Sequence, residues 1–226
     1  MARQLIQSLS IFKNLSQFFY PALCCSCGVL VTTDAVLCAL CMQLIKPVAS
    51  VFLPITRNKS MKVFSVGAYD GPLRNLILKK FSGDMLAAKQ LARLTQVFVP
   101  TNELAIDYIV AVPLHWTRYT MRGFNQAHEI AKELGRLLDR PVLRLLMRQK
   151  RTKFQSKLSA TDRAYNVENA FTIHWWHQGK TSHLRGKNIL LVDDLCTTGA
   201  TLVSCAKTLS ALNVASITAL VGCRAV

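Results

Sequence analysis

Residues 189–194 combine an apolar run with two carboxylates, and this is the pattern with the clearest chemistry in the sequence. The aliphatic run at residues 189–192 is typical of a buried parallel strand, and Asp193 and Asp194 follow it directly. In open α/β sheets, ligands bind beyond the carboxyl ends of the strands, where the next helix directs its amino-terminal N–H groups. The acid pair is therefore predicted at a ligand-binding edge, where it would accept hydrogen bonds from sugar hydroxyls or hold Mg²⁺.

The turn after the acids has the composition of a phosphate-binding loop. Its residues are Thr197, Thr198, Gly199, Ala200 and Thr201. Glycine lets a backbone approach an oxyanion closely, while threonine hydroxyls donate hydrogen bonds and cap a following helix. Together with the acid pair, this turn predicts a site for a phosphorylated ribose. The alternative is an ordinary strand, turn and helix in which two acids are adjacent by chance.

A basic segment at residues 112–126 is expected at the same edge of the sheet. It follows a predicted strand and carries Arg118 and Arg122, together with a glycine and two side-chain amides. Guanidinium groups engage phosphate oxygens through paired hydrogen bonds, so the segment is suited to a pyrophosphate. An ordinary basic loop is the alternative.

Four of the eight cysteines form two closely spaced pairs, Cys24 with Cys27 and Cys38 with Cys41. Two such pairs ten residues apart are typical of a tetrahedral zinc site. Two disulfides are the alternative, but they would require an oxidising compartment. Cys25 is out of phase with the pairs and is predicted to be a bystander, with a role as a substitute ligand as the alternative.

The chain has 226 residues, 51% of them hydrophobic, and contains no apolar run long enough to span a membrane. Its first twenty residues place apolar side chains at helical spacing and predict an amphipathic helix that packs against the protein. A secretory signal and a membrane-surface helix are the alternatives. We therefore expect a cytoplasmic protein, with peripheral attachment to the inner membrane as the second possibility.

The net charge of +16 is concentrated in the middle of the chain, since residues 51–160 account for +12 of it. A solvated surface is the usual explanation of a charge run, but an excess of this size favours a polyanionic partner such as nucleic acid. The densest stretch has seven cations and no acid: Arg140, Arg144, Arg148, Lys150, Arg151, Lys153 and Lys157.

Strands and helices are predicted to alternate from about residue 60 onwards, which indicates a doubly wound, parallel α/β sheet. A small cysteine-rich module precedes this domain, so the chain is divided into residues 1–50 and residues 60–226. Strands are predicted at residues 61–69, 107–112, 141–146, 170–175, 187–192 and 216–222, and helices from residue 72, over 84–97, over 124–138 and after residue 201.

Residues 189–201 resemble the ribose-phosphate binding motif of type I phosphoribosyltransferases, which bind phosphoribosyl pyrophosphate (PRPP). The resemblance implies that Asp193 and Asp194 hold the 2′ and 3′ hydroxyls of the ribose. It also implies that residues 197–201 surround the 5′-phosphate and that Mg²⁺ accompanies PRPP.

A long polar connection at residues 151–171 carries Arg151 and Arg163. Connections of this length in a compact domain are usually functional or mobile. In type I phosphoribosyltransferases a flexible loop at the corresponding place closes over PRPP and excludes water. The resemblance thus implies that Arg151 and Arg163 act with the acid pair in catalysis.

Taken as a whole, the sequence resembles the ComF/GntX family. The resemblance implies an amino-terminal zinc-binding module on a phosphoribosyltransferase-like fold. That family is associated with natural competence, in which imported single-stranded DNA is handled in the cytoplasm, and with the use of DNA as a nutrient. PRPP, single-stranded DNA or its nucleotides, and proteins of the DNA-uptake apparatus are the implied partners. The resemblance covers nearly all of the chain and is carried by the cysteine pairs and by residues 69–74, 122–126, 151–171 and 193–201.

Three functions stay open at this point. The first is a phosphoribosyltransferase of nucleotide salvage, in which a nucleophile displaces pyrophosphate from C1 of PRPP. The second is a protein of DNA uptake that retains the PRPP-binding fold, and the third is a PRPP sensor without chemistry. No segment identifies a base-binding hood, so the acceptor of a transfer reaction is unassigned.

Overall fold

A central sheet of six strands organises the chain, and a separate ribbon of two strands lies beside it. The computed structural model describes residues 21–32, 35–79, 85–114, 119–120, 123–149 and 170–226. The strands are β1 (Val51–Thr56), β2 (Lys59–Ala68), β3 (Tyr108–Ala111), β4 (Val142–Leu143), β5 (Leu146–Arg148), β6 (Phe171–Ile173), β7 (Asn188–Cys196) and β8 (Ser216–Arg224). The α-helices are α1 (Ala39–Gln43), α2 (Gly71–Leu78), α3 (Met85–Phe98), α4 (Gln126–Leu138) and α5 (Ala200–Ser210).

The sheet has the order β1-β2-β8-β7-β3-β4. Five of these strands are parallel, and β1 alone runs antiparallel at one edge. Helices cover both faces, because one buried cluster joins the sheet to α2, α3 and α4 while the other joins it to α5. The predicted doubly wound α/β fold is therefore confirmed.

Two parts of the predicted strand pattern are wrong. The apolar run predicted as one strand at residues 141–146 is divided between β4 in the main sheet and β5 in the ribbon. The strand predicted at residues 170–175 is β6, which pairs antiparallel with β5 and does not join the parallel sheet. An apolar run cannot distinguish these cases, because the edge of a sheet and a packed ribbon both bury side chains.

Strand β1 was not predicted from the sequence, and its composition explains why. It contains Pro54, which lacks an N–H group and argues against a central strand. The structure accommodates Pro54 because β1 is an edge strand that pairs only with β2. The ladder between these two strands shifts register between Pro54 and Thr56.

The cysteine-rich segment does not have a core of its own. Its buried residues belong to the same cluster as Leu73, Leu76 and Ile77 of α2. At the carboxyl end of β2, the backbone N–H of Ala68 donates to the carbonyl of Lys46 over 2.9 Å. A side chain at Gly67 would leave its Cβ only 2.7 Å from that carbonyl oxygen. The helix predicted over the first twenty residues lies outside the described residues.

Asp107 joins the start of β3 to the start of β7. Its carboxylate accepts hydrogen bonds from the backbone N–H of Asn188 over 2.8 Å and from Lys187 Nζ over 3.3 Å. The backbone hydrogen bond from Asn188 is the main cause that lowers the pKa of Asp107 below its ordinary value of 3.8, although partial burial opposes it. One charged group thus holds the start of β3 to the start of β7, the strand that carries the acid pair.

We expect Asp107→Asn to lower the free energy of unfolding at pH 7. The folded pKa lies below the unfolded one, so this stabilisation is present above pH 3.8 and is lost as the pH falls through the folded pKa. Urea unfolding of the wild type and of Asp107→Asn at neutral and acid pH measures the effect. The difference between their free energies of unfolding should be smaller at acid pH. Asp139→Asn, at an exposed position after α4, is the matched control. An equal gap at both pH values would contradict the assignment.

Candidate functional site

Asp193 and Asp194 lie within β7, close to its carboxyl end. The strand was predicted to stop at residue 192, but it continues to Cys196 because β8 extends far enough to pair with it. Asp193 pairs with Val221, and Leu195 pairs with Cys223. The acids are therefore held by ladder contacts and are half-buried.

The backbone around the acid pair is tightly packed. The N–H of Asp194 donates to Oδ1 of Asp193 over 2.8 Å, which braces the two residues against each other. Gly222 of β8 lies alongside, and a Cβ there would lie 2.8 Å from the carbonyl oxygen of Asp194 and would overlap Leu91 of α3. Only glycine fits this position without moving the acids. A glycine in a strand is the sequence signal for such a close approach, and Gly222 ends the strand predicted at residues 216–222.

The turn after β7 leads directly into α5. Gly199 adopts a left-handed conformation with φ +77 and is the residue that precedes the helix. A side chain at this position would also overlap Leu53 of β1, so the edge strand supports the turn from below. The expectation that threonines cap α5 is only partly met. The residue at the cap position is Gly199, and the nearest threonine contact is a long hydrogen bond of 3.5 Å from Ala200 N to Thr198 Oγ1.

This turn can bind an anion. The first N–H groups of an α-helix have no acceptor within the helix, and they carry the positive end of its dipole. The helix is eleven residues long. At its start, the N–H of Val203 donates to the carbonyl of Gly199 over 2.9 Å. Thr197 and Thr198 are exposed beside this end of the helix. Hydroxyl and amide donors thus stand next to the acid pair.

Two other segments end at the same edge of the sheet. Strand β3 runs beside β7, and Asn125 at the start of α4 donates through Nδ2 to the carbonyl of Val112 over 3.0 Å. Tyr69, which precedes α2, donates its N–H to the carbonyl of Arg224 over 2.8 Å. Three helices therefore begin around the carboxyl ends of the parallel strands.

Four arginines were predicted for this site. Arg118, Arg122, Arg151 and Arg163 lie outside the described residues. In the described residues, the acid pair and the turn at residues 197–201 follow each other at the end of β7 and the start of α5. Cys196, between them, is buried, and burial with the nearby Asp193 charge raises the pKa of its thiol. It serves as an apolar wall and not as a reactive thiolate.

The cysteine pairs converge on one point. The sulfurs of Cys24, Cys27, Cys38 and Cys41 all lie within 4.8 Å of one another, and none forms a disulfide. Cys27 Sγ and Cys38 Sγ are 3.7 Å apart. Four thiolates bound to zinc at about 2.3 Å in a tetrahedron would be about 3.8 Å apart, so the cluster fits this ion.

The surroundings of the cluster also suit a cation. Burial raises the pKa of the Cys24 thiol, but backbone N–H groups of Cys27, Cys38 and Ser26 donate to its sulfur and lower the pKa to about 6. Burial and hydrogen bonds with the neighbouring sulfurs raise the pKa of Cys41 to about 12. The N–H of Cys41 donates to Cys38 Sγ over 3.5 Å. A divalent cation would supply the charge that allows all four groups to be thiolates.

The fold and the matched domain define a phosphoribosyltransferase-like protein, since residues 120–225 match the family model of the phosphoribosyl transferase domain. Competence protein F of Haemophilus influenzae is 36% identical over 163 residues, which cover 69% of each chain. DNA utilization protein YhgH of Escherichia coli K12 is 31% identical over 194 residues, covering 83% of this chain and 77% of that protein. Competence protein ComFC of Bacillus subtilis is 40% identical over 94 residues, covering 42% of this chain and 34% of that protein.

The chain therefore belongs to the ComF family of proteins with a phosphoribosyltransferase-like domain. None of the helices in the described ranges is long and apolar enough to cross a membrane.

We expect Cys27→Ser to abolish stoichiometric zinc binding and to lower the melting temperature, because the cysteine-rich segment shares its buried cluster with α2. Elemental analysis after dialysis and thermal unfolding measure the two effects. Cys25→Ser is the matched control, since Cys25 is buried nearby but does not belong to the group of four sulfurs. Zinc content equal to that of the wild type in Cys27→Ser would disprove the assignment.

Proposed function

We propose that the chain binds PRPP at the edge formed by β7 and α5 and acts in the handling of imported DNA or its nucleotides in the cytoplasm. The observation that carries the proposal is the juxtaposition of the Asp193 and Asp194 pair with the Gly199 turn at the start of a helix. In this proposal residues 60–226 form the phosphoribosyltransferase-like domain, and residues 1–50 form the amino-terminal helix and zinc module.

The acid pair is assigned to the ribose. Carboxylates accept hydrogen bonds, and the 2′ and 3′ hydroxyls of a ribose are adjacent donors that match two adjacent acids. The bracing hydrogen bond from Asp194 N to Asp193 and the close approach of Gly222 support this role, because they hold the acceptors before ligand binds. A preorganised pair loses less conformational entropy on binding than two free side chains would lose.

The turn at residues 197–201 is assigned to the 5′-phosphate. The N–H groups at the start of α5 and the hydroxyls of Thr197, Thr198 and Thr201 would donate to its oxygens. The phosphate and the nearby carboxylates are both negative and would repel each other, and the ribose between them would keep the two anions apart. Leu53 beneath Gly199 supports the turn and leaves its outer side to the ligand.

A transfer reaction at this site would proceed as follows. The bond from C1 of the ribose to pyrophosphate breaks with its electron pair on the leaving oxygen, and a nucleophile forms the new bond to C1. Arg118 and Arg122 are proposed to bind the pyrophosphate, and Arg151 and Arg163 to act from the connection at residues 151–171. Mg²⁺, when bound with PRPP near the acid pair, would neutralise charge on the leaving group.

A role with DNA is supported by two observations. Relatives with more than 30% identity bear the names competence protein F and DNA utilization protein. The net charge of +16 favours a polyanionic partner larger than PRPP alone. Proteins of the DNA-uptake apparatus are further partners in this proposal. A phosphoribosyltransferase of nucleotide salvage and a PRPP sensor without turnover are the competing functions.

We expect Asp193→Asn/Asp194→Asn to weaken PRPP binding about tenfold or more, because amides are poorer acceptors for the ribose hydroxyls than carboxylates. Calorimetric titration with PRPP, with and without Mg²⁺, measures the loss. Asp139→Asn removes one acid at an exposed position after α4 and should bind like the wild type. Full binding heat in the double variant would remove the acid pair from the site.

Turnover is tested separately from binding. With Mg²⁺, PRPP and a panel of nucleobases, we expect pyrophosphate release that depends on one class of base and is lost in Asp193→Asn/Asp194→Asn. A coupled phosphate assay measures the release. PRPP that binds but is recovered intact with every base would favour a sensor or a DNA-handling protein over an enzyme.

A further inference from the structure

Two consecutive tryptophans stand exposed on the surface beyond the ribbon. Trp175 and Trp176 are 59% and 62% exposed, in a short 3-10 helix that follows β6. Their ring centroids are 4.7 Å apart with planes inclined at 60°. The ring of His174 stacks on Trp175 at 5.9 Å and lies 4.9 Å from Trp176. Indole rings are large apolar surfaces, and a cluster of them left in water marks a binding surface.

The backbone beneath this aromatic cluster is pinned to the ribbon. The N–H of His174 donates to the carbonyl of Leu145 over 2.8 Å, and the N–H of His177 donates back to the carbonyl of His174 over 2.8 Å. The N–H of Trp176 reaches Nδ1 of His174 at 3.5 Å. The rings are therefore carried on a turn of defined geometry, which reduces the entropy that a ligand must offset.

The surroundings of the cluster are basic. Arg144, the neighbour of Leu145 in the chain, is exposed and donates through Nε to His128 Nε2 over 3.0 Å. Lys180 is exposed, and its N–H bonds to the carbonyl of His177 over 3.0 Å. The stretches at residues 140–149 and 170–192 contain Arg and Lys but no Asp or Glu. The two chain segments that meet at Leu145 and His174 therefore carry cations and no carboxylates over these stretches.

We propose that Trp175 and Trp176 are a stacking platform for single-stranded DNA, with Arg144 and Lys180 contacting neighbouring phosphates. Unpaired bases expose flat faces that stack on indole rings, and stacking tolerates any base sequence. A paired duplex hides these faces, so the platform would prefer single strands. The combination of adjacent rings and flanking cations favours this occupant over an apolar protein surface, which would not require the charge.

The platform is separate from the proposed PRPP site. Phe171, three residues before His174, lies beside the last turn of α5, where Thr208 Oγ1 donates to its carbonyl over 3.2 Å. The acid pair and the threonine turn adjoin the first turn of α5, about 12 Å away along the helix axis. The inference rests on the proposed role with DNA, but its residues are distinct from those of the PRPP pocket.

Fluorescence anisotropy of a labelled oligo(dT) tests the platform. We expect Trp175→Ala/Trp176→Ala to weaken binding about tenfold or more, and Trp175→Phe/Trp176→Phe to retain most of the affinity because a stacking face remains. Phe52→Ala, which removes an exposed aromatic ring from β1, is the matched control and should bind like the wild type. Arg144→Gln and Lys180→Gln should each reduce the slope of log K against log salt by about 0.7.

The inference is overturned if the double alanine variant binds oligo(dT) like the wild type, or if the phenylalanine variant loses as much as the alanine variant. Equal affinity for a blunt duplex would overturn it as well. So would a double alanine variant that loses binding to anionic vesicles but keeps its binding to oligo(dT). PRPP titration of the same variants should be unchanged. Asp193→Asn/Asp194→Asn should keep its affinity for oligo(dT), so the two proposals fail independently.

Discussion

The parallel pairing of β7 with β8 is the constraint on which the candidate site depends. It extends β7 past the aliphatic run and holds Asp193 and Asp194 in a ladder, where a free loop would let them move. The backbones of Gly222 and Asp194 can approach this closely because Gly222 has no side chain between them. Every other part of the site is arranged around this pair, including the turn that starts α5.

Distant parts of the chain support the same edge. Leu53 of β1 lies under Gly199, although the two residues are far apart in sequence. The cysteine-rich segment packs on α2 and on the end of β2, and Arg224 at the end of β8 donates through Nη1 to the carbonyl of Ala49 over 2.8 Å. The four-cysteine cluster and the edge that carries Asp193 and Asp194 are thus parts of one packed body.

The strand and helix pattern around the site could be predicted because each element has its own period. The run at residues 189–192, the acids and the threonine turn are local features, and the spacing of the four cysteines is local as well. The ribbon could not be predicted, because β5 and β6 have the same apolar composition as strands of the main sheet. Strand β1 could not be predicted, because Pro54 is compatible only with an edge strand and the sequence does not indicate which strand lies at the edge.

The sequence by itself determined the class of fold, the acid pair, the glycine and threonine turn and the set of four thiols, because residue type and short spacing are local properties of the chain. Only the tertiary structure decided which surfaces meet: Gly222 against Asp194, Leu53 under Gly199, and the cysteine-rich segment against α2. It also decided that Trp175 and Trp176 are exposed and that the residue before them, His174, bonds to Leu145. The reason is physical, since burial and contact depend on which distant segments pack together, and local periodicity does not record that pairing.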